Sequence, residues 1–227
     1  MSLKAPPRLT TVAQRALTKI LRPGDLAVDA TMGNGHDTAF LWHHVRPTGH
    51  VVAMDVQARA LMQTRQRLLC LTDESNNKAA APPIVVRTVS PKQHLVAQQP
   101  GVTLIQDGHE NLSQYLSPSC WQDQVSAVMF NLGYLPGSFS DSHQQRLTTR
   151  AETTVTALDQ AARTLLRPGG IITILAYPGH NGGAEEVAAV EDWILTISSL
   201  SSSLQFVVNR QASRGPILYL LERSMHK

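Results

Sequence analysis

The stretch Leu26-Ala27-Val28-Asp29-Ala30-Thr31-Met32-Gly33-Asn34-Gly35-His36-Asp37-Thr38 decides how this chain is read. Its first five residues read as a short buried strand. Gly33 and Gly35 then let the backbone turn sharply and approach a ligand closely. A helix expected from about residue 37 to residue 45 offers its unpaired N–H groups to the same place. A dinucleotide fingerprint needs G-x-G-x-x-G, and Thr38 stands where its third glycine would be. Asp29 also argues against a pyrophosphate, which a neighbouring carboxylate repels. The same carboxylate suits a cationic ammonium group.

Outward from this turn the pattern alternates. Residues 49–55 read as a strand, 58–71 as a helix, and 102–105 and 125–130 as two more strands. A helix is expected over 149–166, Arg167-Pro168-Gly169-Gly170 as a turn, 171–176 as a strand and 184–200 as a helix. Two final runs, 205–208 and 217–221, flank a Gly/Pro-containing loop and suit an antiparallel pair. Residues 72–100 are rich in Asn, Ala, Pro and Gln, and only Ile84-Val85-Val86 reads as structured, so they are taken as a surface insertion. Strands alternating with helices imply a mainly parallel sheet covered on both faces, with ligands beyond the C-terminal strand ends.

At the N-terminus a helix is expected from Thr10 or Thr11 to about residue 22, because Thr11-Val12-Ala13-Gln14 has the form of a capping box. Leu9, Ala13, Ala16 and Ile20 share one face, and Arg15, Lys19 and Arg22 another. Residues 1–22 hold five Lys or Arg and no acid, which fits either a solvated face or an RNA-facing patch.

Composition bounds the answer. The 227 residues are 42% apolar, enough for one packed domain over 1–227. Charged residues make up 16%, which speaks against a highly charged disordered chain, and aromatics at 5% are too few for many stacked base platforms. The apolar run 171–177 is far short of the ~20 residues of a membrane span. Residues 1–22 lack the apolar core of a signal peptide, and the two cysteines, Cys70 and Cys120, have no partners at metal-ligand spacing. A cytoplasmic location without membrane or metal is the expectation. Net charge is +3 and the pI is near 9.1, compatible with a polyanionic partner.

Further polar residues fall at strand ends. Asp55, followed by Gln57, lies 26 residues beyond Asp29 and can accept from both hydroxyls of a ribose, or cap a helix. Asp107 can accept from an adenine amino group. His109 is either part of that site or a helix-start or core residue. Together these residues describe a site for an adenosine with a cationic amino-acid tail, S-adenosylmethionine (SAM), rather than NAD or ATP.

The chain resembles the Rossmann-like class I methyltransferases. That resemblance implies an α/β fold with a mostly parallel seven-stranded sheet, helices on both faces and a C-terminal antiparallel hairpin. It implies a cofactor site made by Asp29, Thr31, Gly33, Asn34, Gly35, His36, Asp37, Thr38, Asp55, Gln57, Asp107, His109 and Asn131. Asn131-Leu132-Gly133-Tyr134 occupies the place of the N-P-P-Y loop of amino-group methyltransferases, with Leu132-Gly133 departing from the two prolines. An Asn carbonyl there can orient a substrate amine, and Tyr134 can stack on the target base or serve as a buried turn residue. His180, in Tyr177-Pro178-Gly179-His180, is a substrate contact or proton acceptor, or else stabilises a turn; bulk water can also take the proton. Glu185 and Glu186 fit the first turn of a helix on structural grounds alone.

The strings 130–137, 29–38 and 177–180 resemble more closely a family of putative rRNA methylases. Its studied members are tRNA 5-(aminomethyl)-2-thiouridine methyltransferases of the MnmM type. The resemblance runs from about Ala13 to Glu222 and implies a tRNA anticodon stem-loop as substrate, methylated on the aminomethyl group of the wobble uridine. The same site also suits an rRNA base or a small amine, and a non-catalytic SAM- or RNA-binding module is a third reading. Oligomeric state is not legible.

Overall fold

The computed structural model describes residues 7–70, 84–88, 99–133, 148–210 and 215–225. The expected alternation is present. In chain order the elements are α1 (Leu9–Ile20), β1 (Leu26–Asp29), α2 (His36–Val45), β2 (His50–Asp55), α3 (Ala58–Leu69), β3 (Ile84–Thr88) and β4 (Gly101–Gln106). Two short helices follow, α4 (Leu112–Tyr115) and α5 (Pro118–Trp121), the first preceded by a 3₁₀ turn at His109–Asn111. Then come β5 (Val125–Asn131), α6 (Ala151–Gln160) with a π-turn at Ala161–Leu165, β6 (Leu166–Ala176), α7 (Gly183–Leu200), β7 (Leu204–Arg210) and β8 (Ile217–Arg223).

Eight strands, rather than seven, form one sheet in the order β3-β4-β2-β1-β5-β6-β8-β7. The additional one is β3, which pairs in parallel with β4 from Ile84 opposite Val102 to Thr88 opposite Gln106. The segment expected to be a surface insertion therefore contributes an edge strand. Its β-branched run Ile84-Val85-Val86 finds backbone partners that no local signal announces. Only β8 runs against its neighbours, β6 and β7, as the terminal hairpin implied.

Period-two alternation divides the core. Val28, Val52, Met54, Val128, Phe130 and Ile172 face α4–α7, while Ala27, Val51, Ala53, Ala127 and Met129 face α1–α3. Because both faces are covered, these strands read as continuous apolar runs. From β1 the chain goes to β2 on one side, and β5 returns to its other side. This reversal leaves a crevice beyond the carboxyl ends of β1 and β5.

Three boundaries differ from expectation. Helix α1 starts at Leu9, and Thr11 and Gln14 lie inside it with no side-chain cap at Arg8. Burial of Leu9, Ala13 and Leu17 on one stripe carries the extra turn, and the supposed capping-box Gln14 instead donates to Asp37 at 3.3 Å. The Arg167-Pro168-Gly169-Gly170 turn is a bulge inside β6: Leu166 pairs with Val125, and the next pair joins Ile171 to Ala127. Helix α6 starts at Ala151 because Thr149 is bonded to Gly133. No helix among the described residues is long and apolar enough to cross a membrane.

Candidate active site

The turn after β1 is built from the inside out. Asp29 is buried at 1% exposure; its Oδ1 accepts from the Thr31 backbone N–H at 3.2 Å and its Oδ2 from the Thr38 hydroxyl at 2.6 Å. It therefore ties both ends of the loop together. Gly35 takes the left-handed conformation at φ +76 and abuts α3, where a Cβ would lie 2.7 Å from Thr64 Oγ1. Gly33, at φ +50, donates its N–H to Asp55 Oδ2 at 3.1 Å, and the Gln57 N–H donates to Oδ1 at 2.9 Å. Arg67 of α3 braces the loop from outside, donating from Nε to the Asn34 carbonyl at 2.7 Å and from Nη2 to His36 Nε2 at 3.0 Å.

A cavity of about 710 Å³ opens over these strand ends. Thr31, Gly33, Asn34, His36, Asp37, Asp55, Gln57, Asp107, His109, Asn131 and His180 line it. Asp29, Gly35 and Thr38 do not. Both Asp29 oxygens accept hydrogen bonds from the loop, and the acid on the wall beside it is Asp37. Tyr134 lies outside the described residues.

At the β4 end, Asp107 accepts from Gly108 N–H at 2.8 Å, Asn111 Nδ2 at 3.0 Å and the Tyr115 hydroxyl at 2.8 Å, so its carboxylate is fixed in direction. His109 is buried with its ring 5.9 Å from that of Phe130, and burial lowers its pKa and keeps it neutral. Its Nε2 has no hydrogen-bond partner among the described residues.

At the switch point, the Asn131 backbone N–H donates to Thr31 Oγ1 at 2.7 Å, and its side chain hydrogen-bonds to Asp37. Two residues on, Gly133 (φ +135) exchanges hydrogen bonds with Thr149: N–H to Thr149 Oγ1 at 2.9 Å, and its carbonyl accepts from Thr149 N–H at 3.0 Å. Thr149 and Thr154 hydroxyls donate to the two oxygens of Glu186 at 2.8 and 2.6 Å. Glu186 is 1% exposed, so the acid expected merely to face the helix dipole is the buried anchor of the Asn131 turn. Gln14, Thr149 and Tyr177 also reach the site unforeseen. Nothing in their local sequence separates them from ordinary surface or turn residues, because their partners lie on other elements.

Burial raises the carboxyls of Asp29, Asp37 and Asp55 above the usual range; for Asp29, burial and the nearby Asp37 and Asp55 take it to about 7. The folded chain then holds a proton on Asp29 that the unfolded chain loses near the ordinary value of 3.8. Stability without ligand therefore falls as pH rises from about 4 to about 7, where the unfolded state binds fewer protons, and levels off above. Melting curves between about pH 5 and pH 8 should show this slope, and Asp29→Asn should make it shallower. A Tm that rises over that range would contradict it.

Residues 51–222 match the family described as putative rRNA methylase. This chain belongs to that family. With it the chain joins the Rossmann-like SAM-dependent methyltransferases. Among solved relatives of this chain is a putative rRNA-methylase of Clostridium thermocellum, 32% identical with a TM-score of 0.72, covering 97% of this chain and 100% of that one. A putative methyltransferase of Streptococcus mutans, solved in complex with S-adenosylhomocysteine (SAH), is 28% identical with a TM-score of 0.68, covering 96% and 99%. A chloroplastic tRNA (mnm(5)s(2)U34)-methyltransferase of Arabidopsis thaliana is 31% identical over 201 residues, 82% of this chain. The chain spans 62% of that curated relative's length.

The wall of the cavity fits SAM. It offers a fixed carboxylate and an imidazole nitrogen at β4 that is buried and unpartnered among the described residues, and a carboxylate with spare lone pairs at β2. A cavity of this size is in the range that encloses ligands of this class. Asp107 and His109 would hold the adenine, Asp55 and Gln57 the ribose, and the 31–36 loop the amino-acid tail.

Proposed function

We propose that this chain is an RNA N-methyltransferase that methylates the aminomethyl group of 5-aminomethyl-(2-thio)uridine at the wobble position of tRNA. The observation that carries the reading is the Asn131 turn. It closes the crevice beside the glycine loop, with its backbone bonded to Thr31 and its side chain to Asp37. Since a carboxylate only accepts, the Asn131 amide gives its N–H to Asp37 and leaves Oδ1 to accept from a substrate N–H. The named activity of the Arabidopsis relative supports an aminomethyl uridine as the substrate.

When bound, SAM supplies an electrophilic methyl group on a sulfonium. The chain's residues supply approach and charge. Asn131 Oδ1 orients the amine and stabilises the positive charge that grows on nitrogen. His180, with Nδ1 at 3.0 Å from the Asn181 carbonyl and Nε2 turned toward Gly133, borders the substrate side of the cavity. Tyr134 is proposed to stack on the target base. The anticodon stem-loop would dock on this face, and a cytoplasmic location remains part of the reading.

Incubation with labelled SAM and hypomodified tRNA lacking the final methyl tests this. The expected result is label in one nucleoside, methylaminomethyl (2-thio)uridine, by mass spectrometry of the hydrolysate. Label in an rRNA base or in a free small amine instead would replace the substrate, and no transfer to any RNA would favour a binding module. Asp55→Ala is expected to weaken SAH binding by roughly 10- to 100-fold, the worth of a charged hydrogen-bond pair, with turnover at saturating SAM nearly unchanged. Isothermal titration beside single-turnover rates reads both.

A further inference from the structure

A wobble aminomethyl group is an alkylamine, protonated and unreactive at neutral pH. Something must receive it as an ammonium and remove a proton before its lone pair can attack. We infer that Asp37 is that group: a catalytic residue that binds the substrate ammonium and accepts its proton. The inference rests on the aminomethyl substrate proposed above.

Position distinguishes Asp37 from the other acids on the cavity wall. Asp55 sits at the β2 end with each oxygen on a backbone N–H, and Asp107 at the β4 end under three donors. Asp37, in the first turn of α2, lies against the Asn131 side chain and within electrostatic reach of Tyr177, across the switch point toward β6. An amine accepted by Asn131 Oδ1 is therefore one amide group away from the Asp37 carboxylate. His180 instead packs its ring against Gly133 and Gly183, with Nδ1 3.0 Å from the Asn181 carbonyl.

The groups facing Asp37 come from every neighbouring element. Gln14 of α1 donates to its Oδ1 at 3.3 Å, Asn131 of β5 donates to it, Asp29 at the end of β1 repels its charge, His36 beside it opposes that repulsion, and Tyr177 follows β6. Burial raises its pKa, the direction that makes a carboxylate a better proton acceptor. One N–H bond breaks as its proton moves to an Asp37 oxygen, leaving a neutral amine. Its lone pair forms the N–CH₃ bond while the C–S bond breaks with both electrons kept on sulfur. The Asp37 proton then leaves to water, so one proton is released per turnover.

Asp37→Asn keeps an acceptor and the side-chain shape but cannot take a proton. With aminomethyl tRNA at saturating SAM near neutral pH, single-turnover rates are expected to fall about 100-fold or more, within the usual range for loss of a general base. They should recover as pH climbs toward the amine's own pKa, whereas the wild-type rate levels off earlier. SAH titration is expected to stay within about threefold of wild type, which also shows the site folded. If SAH affinity drops and extra SAM restores the wild-type rate, the carboxylate serves the cofactor's tail and the inference is overturned. An unaltered rate and pH profile overturns it as well. A wild-type chain that binds SAH yet leaves aminomethyl tRNA unmethylated removes the substrate reading, and Asp37's role with it, which the wild-type control separates from a failure of the inference alone.

Discussion

Asn131→Ala should lower single-turnover methyl transfer by about 10²- to 10³-fold at saturating SAM, the usual worth of one aimed hydrogen-bonding group at the reacting centre. The substitution removes the carbonyl that orients the amine and the N–H that holds Asp37. It spares the Asn131 backbone N–H, which donates to Thr31 Oγ1, so the glycine loop keeps its tie to β5. Asp55, Gln57, Asp107 and His109 are untouched at the far end of the cavity. SAH affinity is therefore expected to change little. Titration and rate measurements on one preparation decide the matter, and wild-type turnover in this variant ends the assignment of Asn131.

Glu186→Ala should produce the largest loss of stability. Its two carboxylate oxygens accept from Thr149 and Thr154, and Thr154 is fully buried. Truncation leaves both hydroxyls without their acceptor and opens a cavity at the N-terminus of α7, at a cost of about 2–4 kcal/mol. For a chain of this length that corresponds to a fall in Tm of roughly 5–15 °C. Turnover should decline too, because Thr149 holds both backbone groups of Gly133, which is left-handed and two residues from Asn131. Glu186→Gln keeps one carbonyl acceptor and an N–H that a threonine oxygen can receive, so its Tm should fall by less than half as much. Equal Tm values for wild type and Glu186→Ala would show that Thr149 and Thr154 find water or other partners.

The site was legible where its residues follow a strand. Asp55, Asp107 and Asn131 each stand at the end of an apolar run, and a parallel sheet brings such ends to one edge. For that reason a linear pattern located one cavity. The roles of individual acids were less legible. Asp29 carries the more conspicuous motif position, yet its oxygens turn inward to Thr31 and Thr38, while Asp37, an unremarkable first-turn acid, faces the cavity. Orientation of a side chain in a tight turn depends on which N–H groups the turn presents, and that is not a property of residue type. Glu186 was read only as a first-turn acid suited to the helix dipole for the same reason: its neighbour Glu185 has the same local context, and only packing of α7 on α6 decides which of the two is enclosed.

What the sequence alone determined was the order of elements, the parallel core and the strand-end clusters, because period and punctuation are local properties of the chain. Tertiary structure decided which strand flanks which, that β3 joins the sheet edge, and that Gln14, Thr149, Tyr177 and Glu186 converge on the Asn131 turn. Those contacts join residues far apart in the chain, and their hydrogen bonds exist only once burial has excluded water as the competing partner.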